Sequence, residues 1–187
     1  MTEASTPYQS YETITYDETA RTFNAARYSA AQPQGIPAIA ISVYGDKNRH
    51  GYNELVPSDP SFIYAKVVVR LVDALTLGDK KSPYLPPDFL LNVNIQKAGP
   101  KENCQKPEDY KFVLTSQYGH SNLKFWKNHQ DIERCGTSVL PSEHEIMDRD
   151  EGCWASVTVR LAKDDARANE KEQDMVVNLL GDLLTCP

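Results

Sequence analysis

Apolar residues recur at helical spacing through Ala20, Phe23, Ala26 (or Arg27) and Ala30, which predicts a helix over residues 19–31. Gln32-Pro33-Gln34-Gly35 stops that helix, and an unbroken apolar run from Ile36 to Ser42 follows. Ile36, Ile39 and Ile41, with small Ala38 and Ala40 between them, read as a central parallel strand covered on both faces by helices. After a loop over 43–58 carrying Gly45, Gly51 and Pro57, Asp59-Pro60 supplies a cap and a proline at the first helical position. The helix it opens is expected to bury Phe62, Ala65, Val69, Val72 and Leu75 (or Thr76) and to end at Gly78. Pro83, Pro86 and Pro87 then give an extended connection into a strand over Phe89–Ile95, with Leu91, Val93 and Ile95 on one face and Leu90, Asn92 and Asn94 on the other.

Beyond residue 97 the pattern changes. A polar loop over 97–109 leads to an alternating strand, Tyr110–Thr115, and Trp154–Leu161 forms another, with Ala155, Val157, Val159 and Leu161 on its apolar face. The polar stretch between them is too long for a simple loop and reads as short strands or turns. A last helix starts near Asp164-Asp165 and carries Met175, Val176, Leu179, Leu180 and Leu183 as its apolar stripe. Residues 1–18 show no hydrophobic period and read as a lead-in to one domain over 19–187. The fold class is α/β. A parallel strand needs neighbours brought in by crossovers, and little upstream of residue 36 could supply them, so the chain reads as the back part of an α/β domain.

At 187 residues, 40% hydrophobic and 25% charged, the chain is long enough to bury a core. Its net charge of −6 and the lack of a Lys/Arg stripe argue against a nucleic-acid polymer or an anionic membrane as partner. No segment approaches the roughly 18 consecutive apolar residues of a membrane span. Met1–Asp17 shows no basic region followed by an apolar one, so no signal peptide is visible.

Cys104, Cys135, Cys153 and Cys186 form no C-x-x-C pair and have no histidine at zinc-ligand spacing. Their even number, and their places in connections or at the chain end, fit two disulfides. Sequential pairing, Cys104–Cys135 and Cys153–Cys186, is preferred among three connectivities; each would close a loop of about thirty residues, worth ~3–4 kcal/mol. That points to an oxidising compartment.

Few residues invite a chemical reading. Asp164-Asp165 could face a cation but suits a helix cap, and Asp148, Asp150 and Glu151 lack the spacing of a calcium loop and read as a solvated turn. His50, His120, His129 and His144 are scattered through loops. Ser42 ends its strand where open α/β sheets bind ligands, but no nucleophile elbow surrounds it, so it reads as a strand-end hydrogen-bonding residue. Asn92 and Asn94 read as hydrogen-bonding a neighbouring loop.

Several stretches together resemble the survival protein SurE-like phosphatase/nucleotidase family, in particular its secreted fungal branch. Thr22-Phe23-Asn24-Ala25-Ala26 followed by Gly35-Ile36-Pro37-Ala38-Ile39-Ala40-Ile41-Ser42 is similar to the family's SGTVGAA and GIPAIAIS segments. Leu85-Pro86-Pro87 and Leu91-Asn92-Val93-Asn94 are similar to its LP and LNVNxP. Asp109–Thr115, Cys135-Gly136, Leu140-Pro141-Ser142-Glu143 and Gly152–Val159 resemble the C-terminal part of fungal members. The resemblance covers about residues 19–187 and implies a three-layer sandwich, N-terminally truncated, with a β-rich C-terminal extension. It also implies phosphoric monoester hydrolysis, often of nucleoside monophosphates, with a divalent metal (Mg or Mn), oligomer contacts and an extracellular location. The family's metal pocket uses an Asp-Asp pair, a Ser and an Asn that precede the segment matched at Thr22, so no metal ligand is assigned here and no metal is expected to be bound by this chain alone. Thr22 is the one residue the resemblance places at phosphate. Ala20 and Arg21 replace the Ser and Gly before it, and Gln96 replaces the proline after the Asn-Val-Asn strand.

Overall fold

The computed structural model describes residues 21–31, 33, 35–45, 53, 55–77, 84–116, 130–163 and 166–187. Among these, α1 (Arg21–Ala30), β1 (Ala38–Tyr44), α2 (Pro60–Thr76) and β2 (Phe89–Gln96) come first. β3 (Lys111–Thr115), α3 (Glu143–Met147), β4 (Trp154–Leu161), β5 (Ala166–Arg167) and α4 (Glu170–Leu180) follow. The five strands make one mixed sheet in the order β1-β2-β4-β3, with β5 also on β4. β1 runs parallel to β2 and β3 parallel to β4, while β2 and β4 are antiparallel. The strands after residue 97 therefore extend the same sheet.

Strand alternation divides the core. Leu91, Val93 and Ile95 of β2, with Ala155, Val157 and Val159 of β4, share one apolar cluster with Val67, Leu71 and Leu75 of α2 and Val176 and Leu180 of α4. On the opposite face, Phe23, Ala26 and Ala30 of α1 cover Ala40 and Leu90, and Ile146 and Met147 of α3 cover Val113 and Trp154. Helices thus flank both faces. Gly35, at φ +45° in the turn between α1 and β1, has a backbone conformation that a side chain would strain, and a Cβ there would stand 3.3 Å from the Ala30 carbonyl.

Phe23, Ala26 and Ala30 of α1 are buried as expected, Ala20 lies outside the described residues, and Asp59 caps α2 by accepting from the Ser61 amide at 2.9 Å. Three expectations need correction. α2 buries Val67, Leu71 and Leu75, while Phe62, Val69 and Val72 are exposed. The helix carries two apolar stripes, and the sheet takes the other one. β1 is not central: among the described strands it is an edge, half-buried along most of its length. α4 begins at Glu170, capped by the Asn169 side chain, and its Met175 is exposed. Asp164-Asp165 and Gly78 lie outside the described residues.

The sequential disulfide pairing is also overturned. Cys104 pairs with Cys153 (Cα–Cα 5.2 Å) and Cys135 with Cys186 (5.7 Å). Parallel pairing of β3 with β4 is the cause of the first. It sets Lys111 opposite Trp154, and the Lys111 amide donates to the Cys153 carbonyl, so the segment entering β3 lies beside the segment entering β4. Residues 184–185 lie parallel beside β3, where the Thr185 amide donates to the Phe112 carbonyl at 2.7 Å. There Arg134 Nη2 donates to the Leu184 carbonyl, which brings Cys135 to Cys186.

Candidate functional site: a polar network at the strand ends

Two polar rows cross the α1/α3 face of the sheet. Register aligns Ala40, Asn92, Thr158 and Thr115 in one row, and Ser42, Asn94, Ser156 and Val113 in the next. Asn and Thr side chains on a covered face need partners, and Glu143 of α3 provides them. Asn92 Nδ2 donates to both Glu143 oxygens (2.9 and 3.1 Å), Asn94 Nδ2 donates to Oε2 (2.8 Å), and the Thr158 hydroxyl donates to Oε1. Because the one Thr158 proton goes to Glu143, the 2.7 Å contact between Thr115 and Thr158 must carry the Thr115 proton. The result is a directed chain, Thr115 to Thr158 to Glu143, closed inside the protein.

Asn94 carries this order outward. With its amide hydrogens turned to Glu143, its Oδ1 accepts from the exposed Ser42 hydroxyl at 2.5 Å. Ser42 therefore spends its proton on Asn94 and offers solvent its oxygen lone pairs. β1 runs on to Tyr44, so Ser42 does not end its strand as expected but lies two residues before the carboxyl end of the parallel β1–β2 pair, the end where open α/β sheets take ligands.

α3 is pinned from below and capped from within. Gln96 Nε2 donates to the Met147 and Arg149 carbonyls (2.9 and 3.0 Å), and its Oε1 accepts from the Trp154 amide (3.0 Å). A proline at this position could make none of these bonds. Ser142 and Glu145 form a capping box at the start of α3.

One turn further on, Tyr44 donates its hydroxyl to Asp148 at 2.7 Å and has His144 Nδ1 at 3.2 Å. Tyr44 and Asp148 line a cleft of about 350 Å³ also bordered by Gln96, Lys97, Glu102 and Arg149. Burial, and then the bond to Asp148, pushes the Tyr44 phenol from 10.0 up to about 12. An unfolded tyrosine ionises near pH 10 while the folded one holds its proton. The contribution of Tyr44 is thus fully present below pH 10 and is lost as pH rises towards 12. Urea midpoints of wild type and Tyr44→Phe should converge over that window; a separation that stays constant through it would refute the assignment.

Of the residues singled out in the sequence, Ser42, Asn92 and Asn94 come together here. Thr22 is exposed in the first turn of α1, and among the described residues no hydrogen bond joins it to the network. Asp148 and Asp150 sit in an exposed turn. His50, His120 and His129 lie outside the described residues. Glu143, Gln96, Thr115 and Thr158 were not expected to cooperate; two Asn residues alternating within an apolar strand were the one available signal.

Among the described residues no three His, Cys, Asp or Glu side chains are grouped to hold a metal ion. The donors around Ser42 are hydroxyls and amides, and both oxygens of Glu143 are engaged by three side chains. These residues do not fit a hard divalent cation, which asks for free carboxylate oxygens. No protein-family model, curated protein or solved structure matches the chain.

Proposed function

We propose that this chain carries the C-terminal part of a SurE-like phosphoric monoester hydrolase and has little or no phosphatase activity by itself. The observation that carries the reading is the Ser42–Asn94–Glu143 relay at the carboxyl ends of β1 and β2. It holds an exposed hydroxyl oxygen where a ligand of an open sheet would sit, and turns its one buried carboxylate inward. Thr22 is the residue assigned to the phosphate side, and Ser42 is a strand-end hydrogen-bonding residue near it. No residue is assigned as nucleophile or general base, since Ser42 donates to an amide oxygen that cannot take its proton. Carboxylates able to hold magnesium or manganese would have to come from outside the described residues. The expected substrate class is a phosphate monoester or nucleoside monophosphate.

The test is hydrolysis of p-nitrophenyl phosphate and nucleoside monophosphates with magnesium or manganese. The expected rate is indistinguishable from background, and rapid turnover abolished by a chelator would refute the reading. A second reading, a non-catalytic interaction module, is favoured by the edge position of β1 among the described strands. The two disulfides are consistent with an extracellular protein, and no helix among the described residues is long and apolar enough to cross a membrane.

A further inference from the structure

One of the two disulfides is placed to react. Cys135 and Cys186 are both exposed, and together they line a groove of about 520 Å³ with Val113, Leu114 and Leu140, room enough for a small molecule. Cys135 is also an unfavoured residue for its turn. Arg134 and Thr137 exchange both backbone hydrogen bonds (2.9 and 3.1 Å), which leaves Cys135 and Gly136 as the central pair, at φ +57° and +79°. Turns of that kind favour Asn, Asp or Gly first, so Cys135 holds a left-handed backbone at a cost. Arg134 adds an independent feature. Its Nη2 donates to the Leu184 carbonyl at 2.7 Å, two residues before Cys186, while its Nε is buried with no acceptor among the described residues. A disulfide sulfur is a weak acceptor, whereas a thiolate is well matched to a guanidinium. An unmet cationic donor next to the bridge therefore suits the state in which the bridge is open.

We propose that Cys135–Cys186 is a thiol-exchange site that takes up a low-molecular-weight thiol. The incoming thiol gives its proton to solvent and forms a bond to Cys186 Sγ. The Cys135–Cys186 bond breaks, and its electron pair leaves on Cys135 Sγ as a thiolate beside Arg134. The product is a mixed disulfide on Cys186, with the number of disulfide bonds unchanged. Attack on Cys186 is the favoured direction, because the better-stabilised thiolate leaves faster. Thr185 still bonds β3 afterwards, its amide and hydroxyl both reaching the Phe112 carbonyl (2.7 and 3.3 Å). Without the bridge, residues 185–187 are held less firmly and the groove widens, so the surrounding thiol supply sets how well this segment covers β3. This inference is independent of the proposed phosphate chemistry.

The test incubates the folded full-length protein with glutathione, quenches early samples with iodoacetamide and maps both marks by peptide mass spectrometry. The first glutathione adduct should lie on Cys186 and the alkyl mark on Cys135, by about tenfold over the reverse. Arg134→Gln should bring that ratio close to one with Cys104–Cys153 still closed, and Arg134→Lys, which keeps the charge, should retain most of it. An adduct chiefly on Cys135, an even split in the wild type, no adduct until the protein unfolds, or a ratio unmoved by Arg134→Gln would each overturn the proposal. If the Arg134 variants fail to fold, adduct placement in the wild type decides alone.

Discussion

Glu143→Ala is expected to destabilise the protein by about 3–5 kcal/mol, because it strips a buried acceptor from three donors at once. Asn92, Asn94 and Thr158 are 6%, 8% and 2% exposed, so water cannot replace the lost oxygens without opening α3 from the sheet. Each orphaned donor costs about 1–3 kcal/mol, and local relaxation keeps the total below their sum. Glu143→Gln should cost less, about 2 kcal/mol, since it keeps the shape and one acceptor but sets an amide donor against the Asn amides. Urea denaturation of the two variants measures both. A loss under about 1 kcal/mol for the alanine variant would mean that the network is not closed in solution. Ser42→Ala separates structure from function at the same place. Ser42 is exposed and donates inward to Asn94 Oδ1, so its loss leaves one acceptor unpaired and should cost about 1 kcal/mol, well below Glu143→Ala.

How much of this could be read from the chain depends on whether the signal was local. The α1 core triad, Phe23, Ala26 and Ala30, is set within about two helical turns and the Asp59-Pro60 start of α2 within one, and the structure shows both as expected. The α2 interior was not readable. A helix with apolar residues at both 62/65/69/72 and 67/71/75 does not say which stripe meets the sheet, and only the neighbouring strands decide. β1 shows the same limit: an all-apolar run fits a central strand, but edge position is a property of the sheet order. In the site, the Asn92/Asn94 alternation announced a polar need, while its answer, Glu143, comes from a helix 49 residues beyond Asn94. Cysteine pairing failed for that reason too, since chain proximity favoured 104 with 135 whereas parallel β3–β4 pairing brings 104 to 153.

The two disulfides should open in a fixed order and weaken the protein unequally in kinetics though similarly at equilibrium. They span 49 and 51 residues, and the chain-entropy model assigns each about 4 kcal/mol. For a domain of this size that lowers the melting temperature by about 10 °C per bridge. Thiol attack, however, needs access to sulfur. Cys135 and Cys186 are exposed, whereas Cys104 and Cys153 are 1% and 3% exposed. Mild reductant should therefore release Cys135–Cys186 first and free the chain end from β3, leaving the sheet intact. Cys104–Cys153 should yield only under denaturing conditions, when β3 and β4 separate. Mass spectrometry of non-reduced peptides, followed by alkylation at rising reductant, reads both the pairing and the order. Recovery of a Cys104–Cys135 peptide, or release of the buried pair first, would contradict the β3–β4 register on which the C-terminal half of the sheet is built.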